Sequence, residues 1–238
     1  MILAITSRCI MNCSHCLSNC LPEGVDMQPD IFEQFLKFNH PHIPILISGG
    51  EPTLHPNWFD MTQTLLEKGY YTILLSNGLF LDDESQVELL KKLQQHKLFH
   101  IQITHDSRFY PLKINFNKAK ELNLKIEKSL RAISSEGRAK TNKIPCTRKY
   151  SACMNPKLIH FQKPDFKFWD LIYTMINKER FCFPLITPTG EIKIGESLEC
   201  QSIGTVFDNE NKLTQGIINL TCNKCGLKND PKKYFQNL

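Results

Sequence analysis

The chain has 238 residues, of which 29 are Lys or Arg, 24 are Asp or Glu and 10 are Cys. That length holds one α/β domain with room for a small appendix, and its core needs no disulfides. A net charge of +5 does not call for a nucleic-acid partner, and 22% charged with 41% hydrophobic residues excludes a disordered or fibrous chain.

Met1–Ile5 is too short for a signal-peptide core, with Arg8 and Cys9 following at once. No apolar run approaches the roughly 20 residues that span a bilayer. A cytoplasmic protein off the membrane is therefore expected, with its thiols reduced. Ten cysteines in such a chain point first to metal or cluster ligation.

In chain order, Ile2–Ile5, Ile43–Ile47, Tyr71–Leu75 and Phe99–Ile103 are short apolar runs bounded by turn residues, and they are predicted as strands. Helical stripes lie between them. Ile31, Phe32, Phe35 and Leu36 follow Pro29-Asp30; Trp58, Met61, Leu65 and Leu66 run up to Gly69; Val87, Leu90 and Leu93 follow the acidic Asp82-Asp83-Glu84. Leu124–Ala132 is predicted as a fifth strand and Leu158–Phe161 as a sixth. Alternation at this spacing implies a parallel sheet, and the chain is too short for a complete eightfold barrel. After Pro164 the pattern changes to a helix at Phe168–Ile176 and a hairpin over Leu185–Ile194, turning at Pro188-Thr189-Gly190. The expected division is a core over 1–164 and a cysteine-rich region over 165–238.

Cys9, Cys13 and Cys16 lie on one loop after the first strand. Three thiolates there can hold three corners of a four-iron cluster, leaving one iron for a chelating small molecule. Structural zinc wants four protein ligands, and Cys20 could supply a fourth, so spacing alone leaves both metals open. This CxxxCxxC loop resembles the signature of the radical S-adenosylmethionine (radical SAM) enzymes, with His15 where that family usually has an aromatic residue. Ser48-Gly49-Gly50-Glu51-Pro52 after strand two is similar to the family's GGEP segment. Ser76-Asn77-Gly78 after strand three is similar to its TNG turn, and Thr104-His105-Asp106-Ser107 ends strand four.

The resemblance covers roughly residues 2–138. It implies a partial (β/α)6 parallel barrel, a [4Fe–4S] cluster on Cys9, Cys13 and Cys16, and S-adenosylmethionine (SAM) bound to the open iron. It further implies SAM contacts from His15, Ser48, Gly49, Gly50, Glu51, Ser76, Asn77 and Arg138. Gly49 and Gly50 would let the backbone approach the ligand, and their carbonyls with Glu51 would receive its ammonium group. Arg138 would lie near the methionine carboxylate. His105, Asp106 and Arg108 become the candidate catalytic residues, and a reducing protein such as flavodoxin or ferredoxin is the implied partner. Cys20 is expected to be a packed or free thiol.

Cys182, Cys200, Cys222 and Cys225 form a second group, the last two with CxxC spacing before Gly226. With the hairpin they resemble the short twitch-like appendix of some radical SAM enzymes, which binds an auxiliary cluster; a second [4Fe–4S] cluster, a structural zinc and plain packing all stay open. Cys146 and Cys153 match no ligand spacing.

The whole-chain layout, with its wealth of Lys, Asn, Ile and Phe, resembles the queuine lyases, which implies a small, modified purine-like substrate and release of 7-aminomethyl-7-deazaguanine. A peptide-maturing or nucleobase-hypermodifying enzyme is the alternative. A zinc-binding interaction module with two cysteine knuckles would leave the Gly49–Pro52 segment unexplained.

Overall fold

In the computed structural model, residues 1–38, 43–129, 133, 136–147, 184–195 and 200–219 are described. Their strands are β1 (Ile2–Thr6), β2 (Ile45–Gly49), β3 (Thr72–Ser76), β4 (Phe99–Thr104), β5 (Glu127–Ser129), β6 (Pro184–Ile186), β7 (Glu191–Ile194) and β8 (Ser202–Thr205). The helices are α1 (Pro29–Phe38), α2 (Trp58–Glu67), α3 (Glu84–Leu93), α4 (Phe116–Glu121), α5 (Gly137–Thr141) and α6 (Glu210–Ile218). One eight-stranded sheet runs in the order β5-β4-β3-β2-β1-β6-β7-β8.

Burial explains why the first strand is a continuous apolar run. Leu3 and Ile5 enter the main core, while Ile2 and Ala4 meet Leu185 and Leu46 on the opposite face. A strand covered on both faces belongs at the centre of a parallel sheet. Farther out the pattern alternates: in β7, Ile192 and Ile194 are buried while Glu191 and Lys193 are partly exposed.

Helices cover one face. Phe32 and Phe35 of α1, Trp58, Met61, Leu65 and Leu66 of α2, Val87, Leu90 and Leu93 of α3, and Leu213 and Ile217 of α6 share the core with Ile47, Leu74, Ile101 and Ile186. These are the stripes expected from helical spacing. Asp83 caps α3 by accepting from the Ser85 and Gln86 amides, which explains why the acidic run opens that helix.

The structure refines three expectations. The fifth strand begins at Glu127, three residues later than expected, and runs to Ser129; positions 130–132 lie outside the described residues. The sheet is open among the described residues, with β5 and β8 at its edges, in keeping with a partial rather than a closed barrel. The hairpin of β6 and β7 is continuous with the core sheet, since β6 pairs in parallel with β1 through Ile2–Leu185 and Leu3–Ile186. Its turn at Pro188-Thr189-Gly190 is as expected, and Gly190 takes a φ of 82°. Leu158–Phe161 and Phe168–Ile176 lie outside the described residues.

Candidate functional site

Parallel strands place their carboxyl ends along one edge of the sheet, where loops can share a ligand. β1, β2, β3 and β4 are mutual neighbours and parallel. The Cys9–Cys20 loop, the Gly49–Pro52 turn, the Ser76–Gly78 turn and the His105–Tyr110 turn are therefore brought together.

The cysteine loop is folded back on the end of β1. The Ser7 amide donates to the Val25 carbonyl, Cys9 to Leu21 and Cys16 to Cys13, at 2.8, 2.9 and 3.2 Å. Asn12 and Asn19 supply left-handed corners, at φ of 47° and 52°. Cys9 and Cys20 are buried, and Cys13 and Cys16 pack half-buried against them.

Burial, together with the neighbouring Cys9 and Cys16, pushes the Cys13 thiol up to about 12. Burial also raises Cys9. The Cys20 thiol donates to the Ser18 carbonyl at 3.8 Å, and its interaction with Cys16 lowers the Cys16 pKa and raises its own. Cys20 is a free thiol packed in the loop, as expected.

Arg138 closes this loop from more than a hundred residues away. Its Nε donates to the Cys13 carbonyl at 2.8 Å and its guanidinium to the Cys20 carbonyl at 3.1 Å. Its amide donates to the Cys16 carbonyl at 2.9 Å. These bonds make Arg138 a staple across the cysteine loop, beside the place where the resemblance puts the methionine carboxylate. Gly137 makes the approach feasible: it has a φ of 60°, and a Cβ there would lie 2.4 Å from the Cys16 carbonyl oxygen.

The two glycines after β2 serve the protein's own backbone. A Cβ on Gly49 or Gly50 would lie 2.0 Å from the carbonyl oxygen of Thr6 or Arg8. In that contact the Gly50 amide donates to Thr6 and the Glu51 amide to Arg8, both at 2.8 Å. Ser48, half-buried, pairs with Ala4 across the sheet.

Glu51 is buried and fully engaged. Oε1 accepts from the Thr53 amide, the Thr53 hydroxyl and the Ser76 hydroxyl, and Oε2 accepts from the Asn77 amide at 2.7 Å. Its carboxylate therefore joins the ends of β2 and β3. Asn77 continues the chain of contacts to the cysteine loop, with Nδ2 3.9 Å from Cys9 Sγ.

Beyond β4, both Asp106 oxygens accept from Arg108, at 2.9 and 2.6 Å, and these bonds hold the Asp106 carboxyl down to about 2. The Tyr110 hydroxyl donates to Thr104 Oγ1 at 2.7 Å. The Tyr110 ring stacks on His15 at 5.6 Å and meets His105 edge-on at 5.8 Å. Phe109 also contacts His15, at 4.9 Å. Burial lowers the His15 pKa, and the buried Nδ1 atoms of His15 and His105 have no hydrogen-bond partner.

Sequence reasoning missed the staple made by Arg138, the capture of the Glu51 carboxylate and the contact from Tyr110 to both histidines. A signal existed only for the last, in the Phe109-Tyr110 pair after the strand end. Cys200 is half-buried between β7 and β8. Cys146 is exposed, and its thiol donates to the Ile133 carbonyl at 3.2 Å. Cys153, Cys182, Cys222 and Cys225 lie outside the described residues.

Residues 3–144, more than half of the chain, match the Radical SAM superfamily. The chain belongs to that superfamily. A [4Fe–4S] cluster and SAM are accordingly the cofactors of this radical SAM enzyme. It is similar to a tungsten-containing aldehyde ferredoxin oxidoreductase cofactor-modifying protein of Pyrococcus furiosus, at 36% identity over 37% of this chain and 26% of that one. The chain spans 25–38% of the length of the curated relatives it matches.

Among solved structures, BtrN in complex with AdoMet and 2-DOIA is 17% identical, covers 93% of this chain and 82% of its own, and has a TM-score of 0.55. SuiB of Streptococcus suis bound to S-adenosylmethionine is 15% identical, covers 92% of this chain and 65% of its own, and has a TM-score of 0.58. SuiB has also been solved bound to the precursor peptide SuiA. At these identities the likeness is one of fold alone. No helix among the described residues is long and apolar enough to cross a membrane.

The residues present fit a cluster. Cys13 and Cys16 pack against Cys9 on one loop, and the Arg138 guanidinium lies on that loop's carbonyls. No three His, Cys, Asp or Glu side chains among the described residues converge tightly enough for one metal ion. A body of several irons spreads its ligands more widely than a single zinc does.

Proposed function

We propose that Cys9, Cys13 and Cys16 are the protein ligands of the [4Fe–4S] cluster, and that the chain cleaves SAM reductively and abstracts hydrogen from a small, flat substrate. When bound, the cluster supplies one electron that splits the sulfonium of SAM into methionine and a 5′-deoxyadenosyl radical. The observation that carries this reading is the gathering of the three thiols on one loop, stapled by Arg138 at the carboxyl edge of a parallel sheet.

The chain's residues divide the work by position. Glu51, Ser76 and Asn77 fix two strand ends around the loop. The carbonyls of the Gly49–Glu51 turn and the rings of His15, Phe109 and Tyr110 are offered to SAM and substrate. Hydrogen abstraction requires near-contact geometry, so the substrate must lie beside the His105–Tyr110 turn. The Asp106–Arg108 pair, bidentate and charged, would meet the polar edge of a base there. A reducing protein such as flavodoxin or ferredoxin would deliver the electron.

Within this chemistry a queuine lyase releasing 7-aminomethyl-7-deazaguanine is supported by the aromatic group of His15, His105, Phe109 and Tyr110, which suits a planar ligand. Peptide modification is the second reading, favoured by the precursor peptide bound to SuiB. Cys182, Cys200, Cys222 and Cys225 are proposed to hold an auxiliary cluster or a zinc.

The test is anaerobic turnover of SAM with dithionite, using the wild-type chain and a variant with Cys9, Cys13 and Cys16 all replaced by Ala. The variant is expected to yield no 5′-deoxyadenosine, and unchanged yield would refute the ligand assignment. A panel of 7-deazaguanine bases run beside short peptides then separates the substrates. Product from a base supports the lyase, and product only from peptides overturns it.

A further inference from the structure

Asn77 stands in a motif that resembles a SAM-contacting turn, and its side chain reaches back to the cysteine loop. Its Oδ1 accepts from the Leu79 amide at 2.9 Å, which leaves Nδ2 as the atom 3.9 Å from Cys9 Sγ. The orientation of the amide is therefore set by its own turn rather than chosen for the sulfur. The backbone is held as firmly. The Asn77 amide donates to Glu51, the Ser76 hydroxyl donates to the same carboxylate, and Gly78 follows at a φ of 86° against Ile103. Asn77 and Cys9 are 7% and 8% exposed, so water does not compete for the contact.

We infer that Asn77 is a positioning residue for the cluster: its N–H donates to the Cys9 thiolate and sets the reduction potential. This rests on the assignment of Cys9 as a ligand. A donor to a ligating sulfur draws electron density from it and favours the reduced cluster, which carries one more negative charge. Reduction here adds one electron, supplied by the external reductant, and breaks no bond. Glu51 then has a definite task. By holding the Ser76–Asn77 backbone, its carboxylate keeps the amide at the sulfur from a neighbouring strand.

The experiment compares the wild type with Asn77→Ser and Asn77→Ala after anaerobic reconstitution with iron and sulfide. Serine still accepts from the Leu79 amide, as hydroxyls do two residues along a turn, but is too short to reach Cys9. Iron content is expected to be unchanged in Asn77→Ser. Its midpoint potential, from an EPR-monitored dithionite titration without SAM, is expected to move negative. At the wild-type midpoint the reduced-to-oxidised ratio should fall about fivefold, the factor for one hydrogen bond. Potentials unchanged in both variants overturn the inference. Loss of iron in Asn77→Ser also overturns it, by assigning Asn77 to loop assembly. A wild-type chain that holds no iron at Cys9, Cys13 and Cys16 overturns instead the ligand assignment beneath it.

Discussion

Glu51 spreads four donors over two carboxylate oxygens, and a glutamine there would turn an N–H toward the Asn77 N–H. Leaving such a donor unsatisfied in a buried site costs about 1–3 kcal/mol. The pH dependence has a definite sign. Burial raises the Glu51 pKa above 4.5, against the pull of Asn77, Thr53 and Ser76. A carboxyl with a raised folded pKa contributes its full stability below the unfolded value and loses it as pH rises through the folded one. The penalty of Glu51→Gln in urea unfolding should therefore be larger at about pH 4 than at about pH 8. A penalty that grows with pH would contradict this account. Arg138→Gln should likewise lose about 1–3 kcal/mol and bind less iron on reconstitution, because two carbonyls of the cysteine loop lose their donor. Iron content equal to wild type would show that the loop holds its shape without the staple. Motif spacing made Glu51 and Arg138 legible as residues that matter. It could not show which atoms they touch, because spacing along the chain does not record the distant backbone groups a side chain meets.

At the scale of elements, the strand ends were the most legible part of the chain. Short apolar runs closed by Ser48-Gly49, Ser76-Asn77 and Thr104-His105 put β2, β3 and β4 within two residues of their observed bounds. The pairing of β6 with β1 was not legible, since periodicity records which face of a strand is buried and not which distant strand lies beside it. Ile186 and Ile192 are fully buried in the main core, as the apolar positions of that hairpin require. Ile192→Ala should therefore destabilise the whole fold by about 2–5 kcal/mol. A separable appendix would instead lose only its own transition in thermal unfolding, leaving the main one in place. Gly50→Ala probes the other end of β1. No positive φ is involved, so the expected loss of about 1–3 kcal/mol in denaturant unfolding comes from the Cβ meeting the Arg8 carbonyl.

For the molecule as a whole, a parallel sheet with β1 at its centre explains why four segments far apart in sequence converge on one edge. The hairpin extends that sheet past β1. Cys182 shortly precedes β6 in sequence, and Cys200 stands between β7 and β8. Cys222 and Cys225 follow α6 in the chain, with the spacing of a metal knuckle. If these four thiols hold one centre, metal binding would tie the chain after α6 to the hairpin and contribute folding free energy directly. Anaerobic reconstitution followed by iron and zinc analysis should then find about eight irons per chain for two four-iron clusters. About four irons with one zinc would keep the centre and change its metal. About four irons and no zinc would remove the auxiliary site, because the loop after β1 accounts for all of them. Replacing Cys222 and Cys225 with Ser sharpens the outcome. The variant should lose only the second portion of metal and unfold at a lower temperature, while still cleaving SAM at Cys9, Cys13 and Cys16. Loss of both portions together would mean that the two cysteine groups serve a single centre.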